Sequence, residues 1–199
     1  MMQPQKTSNK FLKYHGMPAQ KFLKALSSDF PQFSISPPID VQLITDLLDV
    51  HIDKRVDFNN VDTVGSISIK DDRVVIWINP LENEFEPRER FTIAHEIGHL
   101  ILHINPTTGK QEFIDTEKTI RRRDSSWDFE EYQANNFAAQ LLMPADLIDK
   151  YGNIIIYNYK KETGESKIQL TELIKELASR FKVSELAMTY RLKNVGAIR

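Results

Sequence analysis

The 199-residue sequence contains no cysteine. That excludes a disulfide framework and any thiolate ligand, so a bound metal would have to rest on His, Asp or Glu. It also suits a reducing compartment. No stretch approaches the ~18 consecutive apolar residues of a membrane-spanning helix. The N-terminal MMQPQKTSNKFLKYHG carries lysines but lacks the apolar run of a secretory signal, and the expected location is the cytoplasm. Neither sign of charge dominates. With 26 basic against 28 acidic side chains the net charge is −2, which gives no general pull toward nucleic acid or anionic membrane. Internal repeats and low-complexity tracts are missing too. What remains is an ordinary globular composition, 41% hydrophobic, sized for one compact domain or for one domain plus a small appendage.

Residues 1–38 read as a lead-in segment. A short helix is expected from Pro18 to Leu26, with proline in its first turn, before Pro31 and Pro37-Pro38 break the chain. Val41, Ile44, Leu47 and Leu48 recur at helical spacing, which predicts an amphipathic helix over 39–50. Two β-branched runs, 64–69 and 73–79, flank Lys70-Asp71-Asp72 and read as a hairpin. The strongest helix signal covers 87–104, with Pro87 in its first turn. The polar stretch 106–126, with Arg121-Arg122-Arg123, reads mainly as a solvated loop. A second strong helix over 128–142 stops at Met143-Pro144. A short helix ending near Gly152, a strand over 154–159, and helices over 171–181 and 185–193 complete the chain. Thr171 and Ser184 are expected N-caps, with Gly196 past the last helix. The fold class is α+β, with a core over 39–160 that contains a small antiparallel sheet and a helical part over 161–199.

Chemistry concentrates in the helix over 87–104. His95 and His99 are four apart, which places both imidazoles on one helix face, about 5–6 Å apart at Cβ. Such a pair suits one zinc ion at about 2.0–2.1 Å from each nitrogen. Glu96 is rotated by roughly 100° from His95, beside the metal rather than on it, where a carboxylate can take a proton from the water nucleophile. Arg88, Thr92, His95, Glu96, His99 and His103 all fall in one arc about 100° wide, with apolar residues over most of the remaining circumference. A helix buried nearly all round that keeps one polar stripe half made of imidazoles is unlike a plain solvated face. Gly98 lies at the margin of the stripe, where a missing side chain lets another element come close.

Zinc needs a third protein ligand and an open position for water. His103 lies about 12 Å along the axis from His95, too far for easy convergence, and is better suited to a supporting role at the helix end. Glu131 is the better third ligand. Glu131 and Asn135 are four apart on the second helix, and Ala138 and Leu142 continue their stripe inward. A carboxylate on an inward face needs a partner or a cation. Asn135 can then orient a ligand imidazole through its other nitrogen. Two rival readings stand beside this. Asp128 and Glu131 have capping-box spacing, and Glu130 competes as the ligand. Tyr132, Tyr157 and His103 are candidates for stabilising an oxyanion, and one of the strands 64–69 or 73–79 is expected to lie alongside an extended substrate.

Together, RFTIAHEIGHLILH at 90–103 and EYQANNFAAQLLMP at 131–144 resemble the ImmA/IrrE-type metallopeptidases, a zincin family. IDVQLITDLLDV, the GSISI strand and the closing SRFKVSELAMTYRLKNVGAI fit as well, so the resemblance runs over 39–199. It implies a zincin-like core and a thermolysin-like third ligand at the glutamate of E-x-x-A-N, Glu131, with Asn135 where thermolysin-like enzymes carry an Asp. It also implies Zn2+ as cofactor and a protein substrate. That substrate class is helix-turn-helix repressors or similar regulators, whose cleavage relieves repression in mobile-element control, stress responses or toxin–antitoxin modules.

The closing segment offers a different class of function. FKVSELAMTYRL has the rhythm of a DNA-reading helix-turn-helix, and residues 167–199 hold seven Lys/Arg against three Glu. The plainer reading is a helical subdomain packed on the core. A metal-containing regulatory protein that binds DNA or protein with little turnover is the alternative to a peptidase.

Overall fold

In the computed structural model, residues 10–70, 73–105, 112–116 and 126–199 are described. The Arg121–Arg123 run and the hairpin residues Asp71 and Asp72 lie outside them. A 3-10 turn at Lys10–Tyr14 is followed by α1 (Ala19–Asp29), α2 (Val41–Leu48), β1 (Val50–Asp53), β2 (Thr63–Lys70), β3 (Arg73–Ile78) and α3 (Glu86–Leu102). Then come β4 (Glu112–Thr116), α4 (Ser126–Leu142), α5 (Ala145–Thr163), α6 (Leu170–Phe181) and α7 (Glu185–Asn194). No helix among the described residues is long and apolar enough to cross a membrane.

The α+β architecture is the one expected. The sheet order is β1-β3-β2-β4, with β2 antiparallel to both β3 and β4. β1 adds a parallel pairing to β3, so the sheet is mixed. β1 escaped notice because VHID is short and half polar. β4 lies inside the stretch that reads as loop, because EFIDT has too little apolar alternation to announce a strand. The sequence places the substrate-facing strand at 64–69 or 73–79. Instead β2 and β3 are inner strands, and among the described residues the sheet edges belong to β1 and β4.

A second correction concerns 145–163. The short helix and the strand expected at 154–159 are one continuous helix, α5. Ile154-Ile155-Ile156 carries local strand propensity, but Leu147, Ile148 and Tyr151 already bury one helical face. A mid-helix Gly152 costs only about 1 kcal/mol. The helix stops at Gly164, which takes the left-handed C-cap conformation at φ 76°. Ser184 caps α7 as expected, its hydroxyl accepting from the Ala187 N–H, whereas the N-cap of α6 is Gln169 rather than Thr171.

α3 is packed against the sheet on one side and α4 on the other, which explains why its apolar residues run almost all round. A buried polar lock holds its first half to β2. The Thr92 hydroxyl donates to Asn83 Oδ1 at 2.7 Å, and the Asn83 amide donates to the carbonyls of Val64 and Asn79. Residues from Lys10 onward belong to the same core. Phe11, Tyr14, Phe22 and Leu26 are buried with residues of α3 and α4, and Phe22 packs against Phe137 of α4. The Gly16 N–H donates to the Ile101 carbonyl at 2.8 Å, satisfying one of the free carbonyls at the end of α3. The C-terminal helices are tied on by Arg90, which donates to the carbonyls of Ile39 and Lys182, and by Arg191, which donates to that of Met143.

Because Phe22 is fully buried against Phe137 of α4, Phe22→Ala should cost about 3–5 kcal/mol of stability. Urea denaturation of the metal-free protein measures it. A change below about 1 kcal/mol would show that this segment is an appendage.

Candidate metal centre

The polar stripe of α3 faces the protein interior. Thr92, His95, Glu96 and His99 are all buried, and the Glu96 side chain has no solvent exposure. α4 crosses α3 at Gly98. A Cβ there would lie 3.1 Å from the Ala134 carbonyl oxygen and 3.2 Å from the Ala134 Cα, so the glycine admits the backbone of α4 where any side chain would push it away. This contact brings Glu131 to the two histidines.

The Nε2 atoms of His95 and His99 stand 3.0 Å apart. Glu131 Oε2 lies 3.3 Å from the first and Oε1 lies 3.2 Å from the second. One ligand atom from each of the three residues falls within 4.8 Å of the others, and all three residues are buried. Neither oxygen of the buried Glu131 carboxylate has a hydrogen-bond partner among the described residues, which is costly unless a cation lies beside it. Glu130, one residue earlier, is only partly buried. α4 begins at Ser126, ahead of Asp128, so Asp128 is not the N-cap and the capping-box reading of Glu131 fails.

The surrounding groups decide what this cluster can hold. Asn135 Oδ1 lies 3.1 Å from His95 Nδ1. A carbonyl oxygen only accepts, so the proton of a neutral His95 sits on Nδ1 and its Nε2 turns a lone pair into the cluster. Lone pairs facing a buried carboxylate repel unless a positive charge lies between them. Two imidazole nitrogens and a carboxylate form a three-protein-ligand set for a metal that keeps one position open. The donor set therefore fits a divalent cation. His103 follows the last residue of α3. Its Nδ1 lies 3.0 Å from His99 Nδ1 and its Nε2 3.1 Å from Gln133 Oε1. Phe113 of β4 lies over the His99 ring, centroids 4.2 Å apart, which puts β4 at the rim of the cluster.

Glu96 leaves the cluster sideways, toward the sheet. A Cβ on Gly65 of β2 would come within 2.7 Å of Glu96 Oε1 and within 2.7 Å of Thr92 Cγ2. The glycine of the GSISI strand thus makes the space that Glu96 occupies. Its signal was available, since glycine inside a strand often marks a close approach. Asn83 and Gln133 gave no comparable sign, because nothing local distinguishes them from surface amides. Tyr132 and Tyr157, the tyrosines named for oxyanion stabilisation, are exposed, at 65% and 67%.

The family model of the IrrE N-terminal-like domain, a peptidase family, matches residues 50–193, well over half of the chain. No curated protein matches it.

If the cluster holds a metal, dialysis against zinc should leave roughly one ion per chain, and a chelator should remove it. At about 100-fold excess over Kd the ion should add about 2.7 kcal/mol of stability. His95→Ala and Glu131→Ala should each abolish both effects, read by elemental analysis and thermal melts. Wild-type uptake by Glu131→Ala would remove that residue from the ligand set.

Proposed function

This chain belongs to the IrrE N-terminal-like peptidase family, and from that premise we propose that it is a cytoplasmic, zinc-dependent endopeptidase of the HExxH, gluzincin-like type. Its substrate in this reading is a helix-turn-helix repressor or a related regulator. The observation that carries the chemistry is the buried convergence of His95, His99 and Glu131 next to Glu96. His95, His99 and Glu131 hold the metal. A zinc ion in that position supplies Lewis acidity toward both an attacking water and a peptide carbonyl.

The protein does the rest. Glu96 Oε1 is held against Gly65, one residue along α3 from His95, with no solvent around it. From there it accepts a proton from the attacking water and returns it to the leaving amine. The Thr92–Asn83 lock fixes the distance between α3 and β2 on which that placement depends. Asn135 keeps His95 in the tautomer that donates from Nε2. β4 is an edge strand at the rim of the cluster. Its outer side offers backbone donors and acceptors to an extended peptide, which can add to the sheet beside the metal.

The decisive experiment incubates the zinc-loaded chain with a panel of helix-turn-helix regulators from the same cell and identifies products by mass spectrometry. Wild type should cut one of them at a defined bond. Glu96→Gln should keep its zinc and lose about 10²-fold or more in rate. Full activity in that variant excludes Glu96 as the proton acceptor. Zinc and regulator binding without any cut, in wild type, would favour the non-turnover binding protein instead.

Gly65→Ala tests the seat of Glu96 separately. The added methyl should displace the carboxylate, and turnover should fall by at least about tenfold while zinc affinity stays within about threefold. Retained turnover would show that the carboxylate tolerates a different position.

A further inference from the structure

The two histidines of the cluster are supported in unlike ways. His95 leans directly on an amide oxygen, that of Asn135. His99 leans on another imidazole, and that imidazole in turn reaches an amide. The His103 Nε2 is 3.1 Å from Gln133 Oε1, and the His103 Nδ1 is 3.0 Å from the His99 Nδ1.

Proton counting along this chain has one solution for neutral rings. Gln133 Oε1 can only accept, so His103 carries its proton on Nε2. His103 Nδ1 is then a lone pair. His99 Nδ1 must donate to it, and the single proton of the His99 ring is thereby withdrawn from Nε2. That nitrogen faces His95 Nε2 at 3.0 Å and Glu131 Oε1 at 3.2 Å. Phe113 holds the planes of both rings, with centroid distances of 4.2 Å to His99 and 5.5 Å to His103. A turn of the His103 ring would break both hydrogen bonds at once, and a turn of the His99 ring would break the one between the imidazoles.

We infer that Gln133, acting through His103, is a positioning residue that locks His99 in its Nδ1–H tautomer and thereby sets the metal affinity of the site. The inference rests on the reading of His95, His99 and Glu131 as metal ligands. Gln133 touches none of them, and its action passes through one proton on each of two rings. Without its oxygen, His103 is free to place its proton on Nδ1. His99 Nδ1 then becomes the acceptor, and the His99 proton moves to Nε2, where the metal would bind.

The test needs no substrate. Zinc affinity of the full-length chain is measured by chelator competition at one fixed pH for wild type, Gln133→Leu, His103→Leu and the double variant. Gln133→Leu should bind zinc about 10-fold to 100-fold more weakly, with the metal-free melting temperature little changed. The double variant should bind no more weakly than His103→Leu alone, because the amide acts only through that ring. Long-range 1H–15N spectra of the histidine rings in metal-free protein should show His99 protonated on Nδ1 in wild type and shifted toward Nε2 in Gln133→Leu. Unchanged affinity or an unchanged His99 tautomer in Gln133→Leu overturns the relay, as does additivity in the double variant. These readings are independent of His103→Leu folding well, since Gln133→Leu alone decides the first two. Failure of wild type to bind zinc at all would overturn the metal reading itself, and the relay with it.

Discussion

Everything at the site depends on how closely two helices can pass. α3 and α4 meet at Gly98, where the Ala134 backbone occupies the space of a side chain. Two of the three converging donors come from α3 and the third from α4. A methyl on Gly98 would stand 3.1 Å from the Ala134 carbonyl oxygen, tighter than ordinary carbon–oxygen contact. The separation between helices is therefore also the separation between these donors, and the small residues at the crossing set the spacing of a cluster that fits a metal. Phe137 of α4 also borders this crossing, its Cβ 3.3 Å from where a Gly98 side chain would begin, and Phe22 of α1 packs against its ring.

The parts legible in the sequence were those written in helical periodicity. His95, Glu96 and His99 declare themselves by spacing, and Glu131 with Asn135 by sharing an inward stripe with Ala138 and Leu142. Gly98 could be picked out because a glycine in a buried helix needs a reason. The sheet was harder. β2 and β3 are β-branched and adjacent, but β1 pairs in parallel with a strand some twenty residues away, and β4 is polar enough to pass for loop. α5 misled for the opposite reason. Its isoleucine run has the local character of a strand, and the continuous helix follows from burial of Leu147, Ile148 and Tyr151 along one face. Asn83 and Gln133 became visible only in three dimensions, since each acts through a side chain of α3 or just beyond it.

The family match begins at residue 50, yet the folded unit begins much earlier. The turn at Lys10–Tyr14 and α1 lie behind the helices of the cluster, and the Gly16 N–H closes the carbonyl end of α3. α6 and α7 are fastened from the other end of the chain through the carbonyl-directed arginines, Arg90 and Arg191. The small catalytic core is thus braced at both termini, which suits a site that must hold charged and polar groups out of water.

The ligand atoms are borne by helices, whereas the acidic side chain beside them is seated by a gap in the sheet. These two supports are physically separate, so inheritance can alter one and spare the other. A single carbon gained at residue 65 would collide with Glu96 Oε1 and Thr92 Cγ2, while none of the three converging donors is among its nearest neighbours.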